Sequence, residues 1–209
     1  MELNLDLLRR IGVQPAESER KLCFVPGEEA ERDVARMLGE LGLAAKGYVH
    51  LHPASRWQFK CWPAVKTAGL IDKLQALGER VLVTAAPDAE ELELLARIRA
   101  LATTSFADLS GKLTLKQLGA VSRNAKLFVG VDSAPMHIAS AMQTPVVALF
   151  GPSGEFNWGP WQVPHRVVAS DHACRPCGND GCGGGKISEC LSTLAVSEVL
   201  QAVQALHPL

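Results

Sequence analysis

Short, continuous apolar runs alternate along the chain with longer segments in which apolar residues recur at three- and four-residue intervals. The first pattern is typical of strands buried on both faces of a sheet, and the second is typical of amphipathic helices. The runs predict strands over residues 48–52, 80–84, 127–131 and 145–150, with a short edge strand over 105–108. The intervening segments predict helices over residues 3–11, 28–43, 62–78, 87–101, 114–123 and 133–142.

Strands that alternate with helices at such short spacing predict a parallel sheet covered by helices on both faces. We therefore expect the α/β class, with a doubly wound, Rossmann-like domain over residues 21–209 and a cysteine-rich segment over 174–190. Ligands of such folds bind beyond the carboxyl ends of the strands. The residues that follow each predicted strand are therefore the first candidates for a functional site.

Composition narrows the class of partner. The 209 residues include 21 basic and 22 acidic side chains, so no basic excess points to nucleic acid. No apolar run reaches the roughly 18 residues of a membrane-spanning helix, and the first residues lack the basic start and apolar run of a secretory signal. With 47% hydrophobic residues the chain can form a packed core, and we expect a cytoplasmic protein.

The residues after the predicted strand 127–131 suit an anion. Ser133 could cap the following helix, and the helix N-terminus would then present N–H groups and a partial positive charge. Asp132 and the small Ala134 lie beside it, and His137 follows one turn later on the same face, where it could donate to a phosphate oxygen. The alternative interpretation is a capped helix that carries an incidental histidine.

Other strand ends offer further polar groups. Ser55, Arg56 and Lys60 follow the strand 48–52, where cations would offset the charge of a diphosphate, although a solvated loop would have the same composition. Asp88 follows the strand 80–84 and could hold ribose hydroxyls or simply cap a helix; taken alone, the spacing favours the cap.

One glycine is a further candidate, and two glycine-rich motifs are absent. Gly151 begins a tight turn at the same predicted edge of the sheet. Neither a G-x-G-x-x-G nor a G-x-x-x-x-G-K-[S/T] motif occurs, which argues against an ordinary dinucleotide-binding or P-loop protein.

Four of the six cysteines crowd into one segment with the spacing C-x2-C-x4-C-x7-C, at Cys174, Cys177, Cys182 and Cys190. Thiols at such short spacing could hold zinc or an iron–sulfur cluster. Reduced thiols, or a disulfide that is easily reduced, are the alternative. The spacing alone does not decide between them.

Taken together, several segments resemble the lipopolysaccharide heptosyltransferases, glycosyltransferase family nine, and most of all those members that add the branch heptose of the inner core. The block Asp132-Ser133-Ala134-Pro135-Met136-His137 is the most specific of them, with Ala134 standing where the family usually has glycine. A methyl group there would crowd a diphosphate slightly. The segments that carry the resemblance are 52–63, 109–115, 131–139, 145–153, 158–160 and the cysteine-rich segment.

The resemblance implies a GT-B fold, in which two Rossmann-like domains enclose the active site. The C-terminal domain of such enzymes holds ADP-heptose, the N-terminal domain holds the lipid acceptor, and an aspartate of the N-terminal domain is the base of an inverting displacement. By matching positions, Ser55 and Lys60 would contact the phosphates and Asp88 would lie near the nucleoside. The residues around the diphosphate and heptose would be Asp132, Ser133, Ala134 and His137.

The resemblance also implies which half of the enzyme this chain represents. A GT-B enzyme needs about twice this length, given two domains of usual size, and residues 1–20 look like the segment that joins the two domains. We therefore expect a donor-binding C-terminal half that requires no cofactor, is inactive alone and lacks both the base and the acceptor site. Through the N-terminal domain, the full-length enzyme would meet lipopolysaccharide core at the cytoplasmic face of the inner membrane. A non-catalytic nucleotide-binding module and a metal-binding module remain open as alternatives.

Overall fold

The computed structural model of the protein describes residues 2–207. Met1, Pro208 and Leu209, at the outer ends of the two predicted segments 1–20 and 21–209, lie outside the described residues. Over that range the chain forms one six-stranded, fully parallel sheet with the strand order β3-β2-β1-β4-β5-β6. The strands are β1 Val49–His52, β2 Val81–Val83, β3 Ala107–Asp108, β4 Leu127–Val131, β5 Val146–Leu149 and β6 His165–Val168.

The strand order reverses direction between β1 and β4. From β1 the chain adds β2 and β3 on one side, then crosses over to add β4, β5 and β6 on the other. The two loops that leave the carboxyl ends of β1 and β4 therefore diverge and leave a crevice, which is where doubly wound folds bind ligands. The predicted α/β class and doubly wound parallel sheet are confirmed.

Helices cover both faces of this sheet. The longer ones are α1 Glu2–Arg10, α2 Glu28–Glu40, α3 Ala64–Ala76, α4 Ala89–Leu101, α5 Leu115–Asn124, α6 Ala134–Ala141 and α9 Val196–Leu206. Two helices of one turn, α7 Glu155–Trp158 and α8 Glu189–Ser192, precede α9. Short 3-10 turns lie at Glu17–Arg20, Gln58–Lys60 and Cys182–Gly184. None of the helices described within residues 2–207 is long and apolar enough to cross a membrane.

Alternating side chains of the central strands build the core. From β1 and β4, Val49, Leu51 and Val129 point to the face covered by α3, α4 and α9, where they join the largest apolar cluster. On the opposite face Tyr48 packs with side chains of α2 and α5. Its hydroxyl donates to the carbonyl of Val121 at 2.7 Å.

Gly130 is required by the close approach of β1 and β4. It pairs with His52 in the register of the two strands. A Cβ atom at position 130 would lie 2.9 Å from the His52 carbonyl oxygen and 2.6 Å from the Phe128 ring. The missing side chain therefore lets the two strands stay paired up to the edge of the crevice.

The main elements agree with the apolar pattern, with ends shifted by a few residues. Thr114 caps α5: its hydroxyl accepts from the Gln117 N–H at 3.2 Å while the Gln117 side chain accepts from the Thr114 N–H. No strand or helix was predicted beyond residue 150. Edge strand β6 contains exposed His165 and Arg166, so no continuous apolar run marks it.

Leu74 and Leu77 offer a test of this packing. Leu74 in α3 is fully buried, whereas Leu77, at the end of the same helix, is 47% exposed. We expect Leu74→Ala to lower the free energy of unfolding by about 2–5 kcal/mol, because it leaves a cavity in the core. Leu77→Ala should change it by less than about 1 kcal/mol. Urea unfolding of both variants measures the difference, and equal losses would contradict the packing described.

Candidate functional site

A cavity of about 680 Å³ opens at the carboxyl edge of the sheet, in the crevice between β1 and β4. Four loops and helix starts form its walls. They are the segment after β1, the segment after β2, the first turn of α5 and the first turn of α6. The lining residues are His52, Ala54, Ser55, Arg56, Trp57, Lys60, Ala85, Ala86, Pro87, Glu91, Leu113, Thr114, Leu115, Leu118, Asp132, Ser133, Ala134, Pro135 and His137.

The first turn of α6 borders this cavity without a side-chain cap. Ser133 occupies the N-cap position, but its hydroxyl makes no capping bond and instead donates to the Val131 carbonyl at 3.3 Å. The prediction that Ser133 caps the helix through its side chain is therefore wrong. The extended backbone of Ser133 is typical of an N-cap, and it is the side chain that directs the hydroxyl back toward β4. Pro135 has no N–H group and the Met136 N–H donates to the Ser133 carbonyl at 3.1 Å, so the Ala134 N–H stays available for an anion.

Lys60 and Asp132 form an ion pair at the cavity wall. The Lys60 Nζ donates to Asp132 Oδ2 at 2.6 Å, and the two side chains are 22% and 7% exposed. Lys60 ends the 3-10 turn after β1, and Asp132 directly follows β4. The pair therefore joins the two loops that diverge at the crevice and holds an ammonium group beside the start of α6.

The polar residues predicted in the loop after β1 also reach the cavity. Ser55 is buried, and its hydroxyl accepts from the Trp57 N–H at 3.2 Å, which shapes the turn. Arg56 is exposed at the rim, with its guanidinium 5.8 Å from the centre of the Trp57 ring. This loop thus supplies a second cation close to Lys60.

His137 and Ala134 line the same wall. Ala134 is exposed at the first position of α6, so its small side chain leaves the helix start open. His137 lies one turn further on and is partly buried. Burial lowers the pKa of the His137 imidazole, although the nearby Asp132 carboxylate acts in the opposite direction. A neutral imidazole can still donate one hydrogen bond to a bound anion.

Asp88 and Gly151 lie away from the cavity lining. The Asp88 carboxylate caps α4 by accepting from the N–H groups of Glu90 and Glu91 at 3.0 and 3.2 Å. Gly151 is buried against Leu191, and a Cβ atom there would lie 2.6 Å from that side chain. Direct contact of these two residues with a donor stays a prediction, since the structure places neither at the cavity wall.

Glu91 lines the cavity and was missed by the sequence analysis. Its side chain is buried, and Oε2 accepts from the Ala86 N–H at 2.8 Å. Burial raises the pKa of this carboxyl group. The signal was available, because Glu91 stands in the first turn of the helix after β2. Asp88 was named instead because it is closer to the predicted strand.

Two histidines of β1, His50 and His52, are buried next to this wall. The Thr84 hydroxyl lies between them, 2.7 Å from His50 Nε2 and 2.8 Å from His52 Nδ1. Burial lowers the pKa of His52 to about 4 and that of His50 well below its usual range. Both imidazoles are therefore neutral in the folded protein near pH 7.

The cysteine-rich segment packs beside Gly151, outside the cavity. All its thiols are free; Cys190 is buried, while Cys174 and Cys182 are exposed. Among residues 2–207 no group of three or more histidine, cysteine, aspartate or glutamate side chains is arranged to hold a metal ion. Zinc at these cysteines stays a prediction that the arrangement of the described side chains does not support.

Comparison with known proteins identifies what this arrangement is similar to. The model of Glycosyltransferase family 9 (heptosyltransferase) matches residues 8–187. "Lipopolysaccharide heptosyltransferase 3" of Escherichia coli is 38% identical over 212 residues, which include 100% of this chain and 60% of that protein. The chain therefore spans less than two thirds of the length of this relative.

Solved structures agree on the fold. The glycosyl transferase family 9 protein from Veillonella parvula superposes with a TM-score of 0.81 at 24% identity, over 96% of this chain and 57% of that one. The E. coli ADP-heptose lps heptosyltransferase II has a TM-score of 0.71 at 23% identity, over 93% of this chain and 55% of that one. In both, the likeness covers little more than half of the other chain.

The buried histidines predict how stability depends on pH. The folded pKa of His52, about 4, lies below the 6.5 of an unfolded chain, so the unfolded state binds more protons between these values. The stabilising effect of the neutral form is complete above pH 6.5 and is lost as the pH falls toward 4. We expect the free energy of unfolding at pH 5 to be lower than at pH 7.5 by at least about 2 kcal/mol.

Urea unfolding at several pH values measures this dependence. The slope between pH 7.5 and pH 5 should shrink in His52→Gln without vanishing, since His50 remains. As a control, Leu77→Ala changes an exposed side chain that does not titrate and should leave the slope unchanged. A His52→Gln slope equal to that of the unmodified protein would contradict the burial effect.

Proposed function

This chain belongs to glycosyltransferase family 9, and we propose that it is the donor-binding half of a heptosyltransferase that uses ADP-heptose. The observation that carries the proposal is the position of Lys60 beside the open first turn of α6, at the point where the strand order reverses. An ammonium group and a helix N-terminus with the free N–H of Ala134, at one wall of the cavity, form a site for a diphosphate.

The ion pair with Asp132 leaves Lys60 able to bind phosphate. A lysine ammonium has three donors, and the Asp132 carboxylate uses one of them. The same carboxylate holds the ammonium in place before a ligand arrives, so less side-chain order is lost on binding. Arg56 at the rim adds positive charge for the second phosphate.

The opposite end of the cavity suits a nucleoside. Small and apolar side chains form its walls, which fits the flat faces of a purine base. They are Ala85, Ala86, Pro87, Leu113, Leu115 and Leu118. Glu91 is the carboxylate on this side, so we assign it the contact with the sugar hydroxyls for which Asp88 was first considered.

The described residues would bind and orient the donor and stabilise the leaving group. In an inverting transfer the bond between the heptose anomeric carbon and the β-phosphate oxygen breaks, while a bond to the acceptor oxygen forms and the acceptor proton passes to a base. Negative charge then develops on the ADP leaving group, where Lys60 and the α6 N-terminus can stabilise it. We place the base and the lipopolysaccharide acceptor site in the part of the relatives that this chain does not span.

This proposal needs no cofactor, and it locates the reaction in the cytoplasm, with the acceptor presented at the inner membrane. Two relatives support it: one from E. coli is a lipopolysaccharide heptosyltransferase, and a solved E. coli structure is that of an ADP-heptose lps heptosyltransferase.

Isothermal titration calorimetry with ADP tests the phosphate site. Lys60→Met removes a charged donor, so we expect the dissociation constant to rise about 10- to 100-fold. Lys60→Arg, which retains the charge, should lose less. Lys73→Met replaces an exposed lysine of α3 outside the cavity and serves as the matched control. No saturable binding of ADP by the unmodified protein, or equal losses in Lys60→Met and Lys73→Met, would overturn the assignment.

A pair of carboxylate variants tests the nucleoside end. Glu91→Gln should weaken ADP binding about tenfold, because a charged acceptor for sugar hydroxyls becomes neutral. Asp88→Asn should leave the affinity unchanged, since asparagine caps a helix as well as aspartate does. The same calorimetric titrations measure both, and the reverse order of effects would restore Asp88 as the sugar ligand.

A further inference from the structure

A chain of buried polar side chains leads from the interior of the protein to the cavity. It runs from Ser122 in α5 through His50, Thr84 and His52 to Glu91, and all five are at most 5% exposed. The Ser122 hydroxyl lies 3.1 Å from His50 Nδ1, and the Thr84 hydroxyl lies 2.7 and 2.8 Å from the two imidazoles. His52 and Glu91, at the outer end, line the cavity.

The Thr84 hydroxyl links the protonation of the two rings. A hydroxyl has one proton, so it can donate to one imidazole nitrogen and must accept from the other. Both imidazoles are neutral, and each therefore has one N–H and one lone pair. Two states of the chain satisfy every bond, and they differ in whether His52 presents an N–H or a lone pair at Nε2.

Glu91 decides between these two states. His52 Nε2 lies 4.0 Å from Glu91 Oε2. A lone pair at Nε2 would face the negative carboxylate, whereas an N–H there is attracted to it. The favoured direction is therefore Ser122 to His50, His50 Nε2–H to Thr84, and Thr84 to His52 Nδ1, which leaves His52 Nε2–H directed toward the cavity.

The separation of 4.0 Å is too long for a direct hydrogen bond. One oxygen atom at hydrogen-bond distance from both groups would fit between them. Such an oxygen must accept from His52 and donate to Glu91, and a hydroxyl group does both.

We propose that His52 Nε2–H and Glu91 together bind one hydroxyl of the donor's nucleoside sugar, and that Thr84, His50 and Ser122 are positioning residues that keep His52 a donor. This inference rests on the proposed function, because it names the group that the nucleoside end of the cavity recognises. A site with a fixed buried donor and acceptor rejects an analogue that lacks the hydroxyl, since both groups are then left unpaired.

Two measurements test the inference, one without a ligand. Nitrogen-15 NMR of the histidine side chains distinguishes Nε2–H from Nδ1–H. We expect both His50 and His52 to carry the proton at Nε2 near pH 7, with His52→Gln used to assign the signals. A proton at Nδ1 of either ring would overturn the proposed direction of the chain.

Calorimetry with ADP, 2′-deoxy-ADP and 3′-deoxy-ADP is the second measurement. One of the two deoxy analogues should bind the unmodified protein at least about tenfold more weakly than ADP. The difference should shrink in His52→Phe, which removes the donor and leaves Glu91 as the remaining partner of the hydroxyl. Thr67→Val, which replaces a buried threonine that is not part of this row of hydrogen-bonded side chains, is the control. It should retain the discrimination.

Thr84 variants keep the test decisive if His52→Phe does not fold. Thr84→Ser retains the hydroxyl and should retain the discrimination, whereas Thr84→Val removes it and should reduce the discrimination. Equal binding of ADP and both deoxy analogues by the unmodified protein would overturn this inference alone. Failure of the protein to bind ADP at all would overturn the proposed function as well.

Discussion

The ion pair between Lys60 and Asp132 is the contact on which the candidate site depends. It joins two loops that are 72 residues apart in sequence and that leave neighbouring strands in diverging directions. Two charges with little exposure gain little net stability from such a pair, because the loss of hydration offsets their attraction. Its value here lies in position, since it holds an ammonium group and an open helix start at a fixed spacing before any ligand binds.

The pairing of β1 with β4 makes this contact possible. Gly130 lets the strands stay paired up to His52, and beyond that point the chain turns into the loops that carry Lys60 and Asp132. The two faces of β1 then have separate tasks. One presents Val49 and Leu51 to the main core, and the other presents His50 and His52 to a polar chain that ends at the cavity.

Features that depend on residues near one another in sequence could be predicted, whereas features that depend on distant residues could not. Buried parallel strands leave an unmistakable apolar run, so the sheet could be predicted as far as residue 150, whereas β6 has two exposed polar residues and leaves none. At strand ends, position alone cannot separate residues that serve the backbone from residues that face a ligand. Asp88 satisfies N–H groups of its own helix, and Glu91, one turn later, is the one that turns into the cavity.

The histidine chain lay beyond prediction for a related reason. Thr84 is 34 residues from His50 and 32 from His52, and only the register of β1 and β2 brings its hydroxyl between their rings. Similarly, Ser133 holds the predicted N-cap position, but its residue type does not determine that the hydroxyl bonds the Val131 carbonyl instead of the helix.

A crystal structure of the protein with ADP would test the central claim most directly. The account predicts the diphosphate between the Lys60 ammonium and the N-terminus of α6, with the nucleoside directed toward Glu91. ADP bound elsewhere on the protein, or a diphosphate without contact to either Lys60 or that N-terminus, would contradict it.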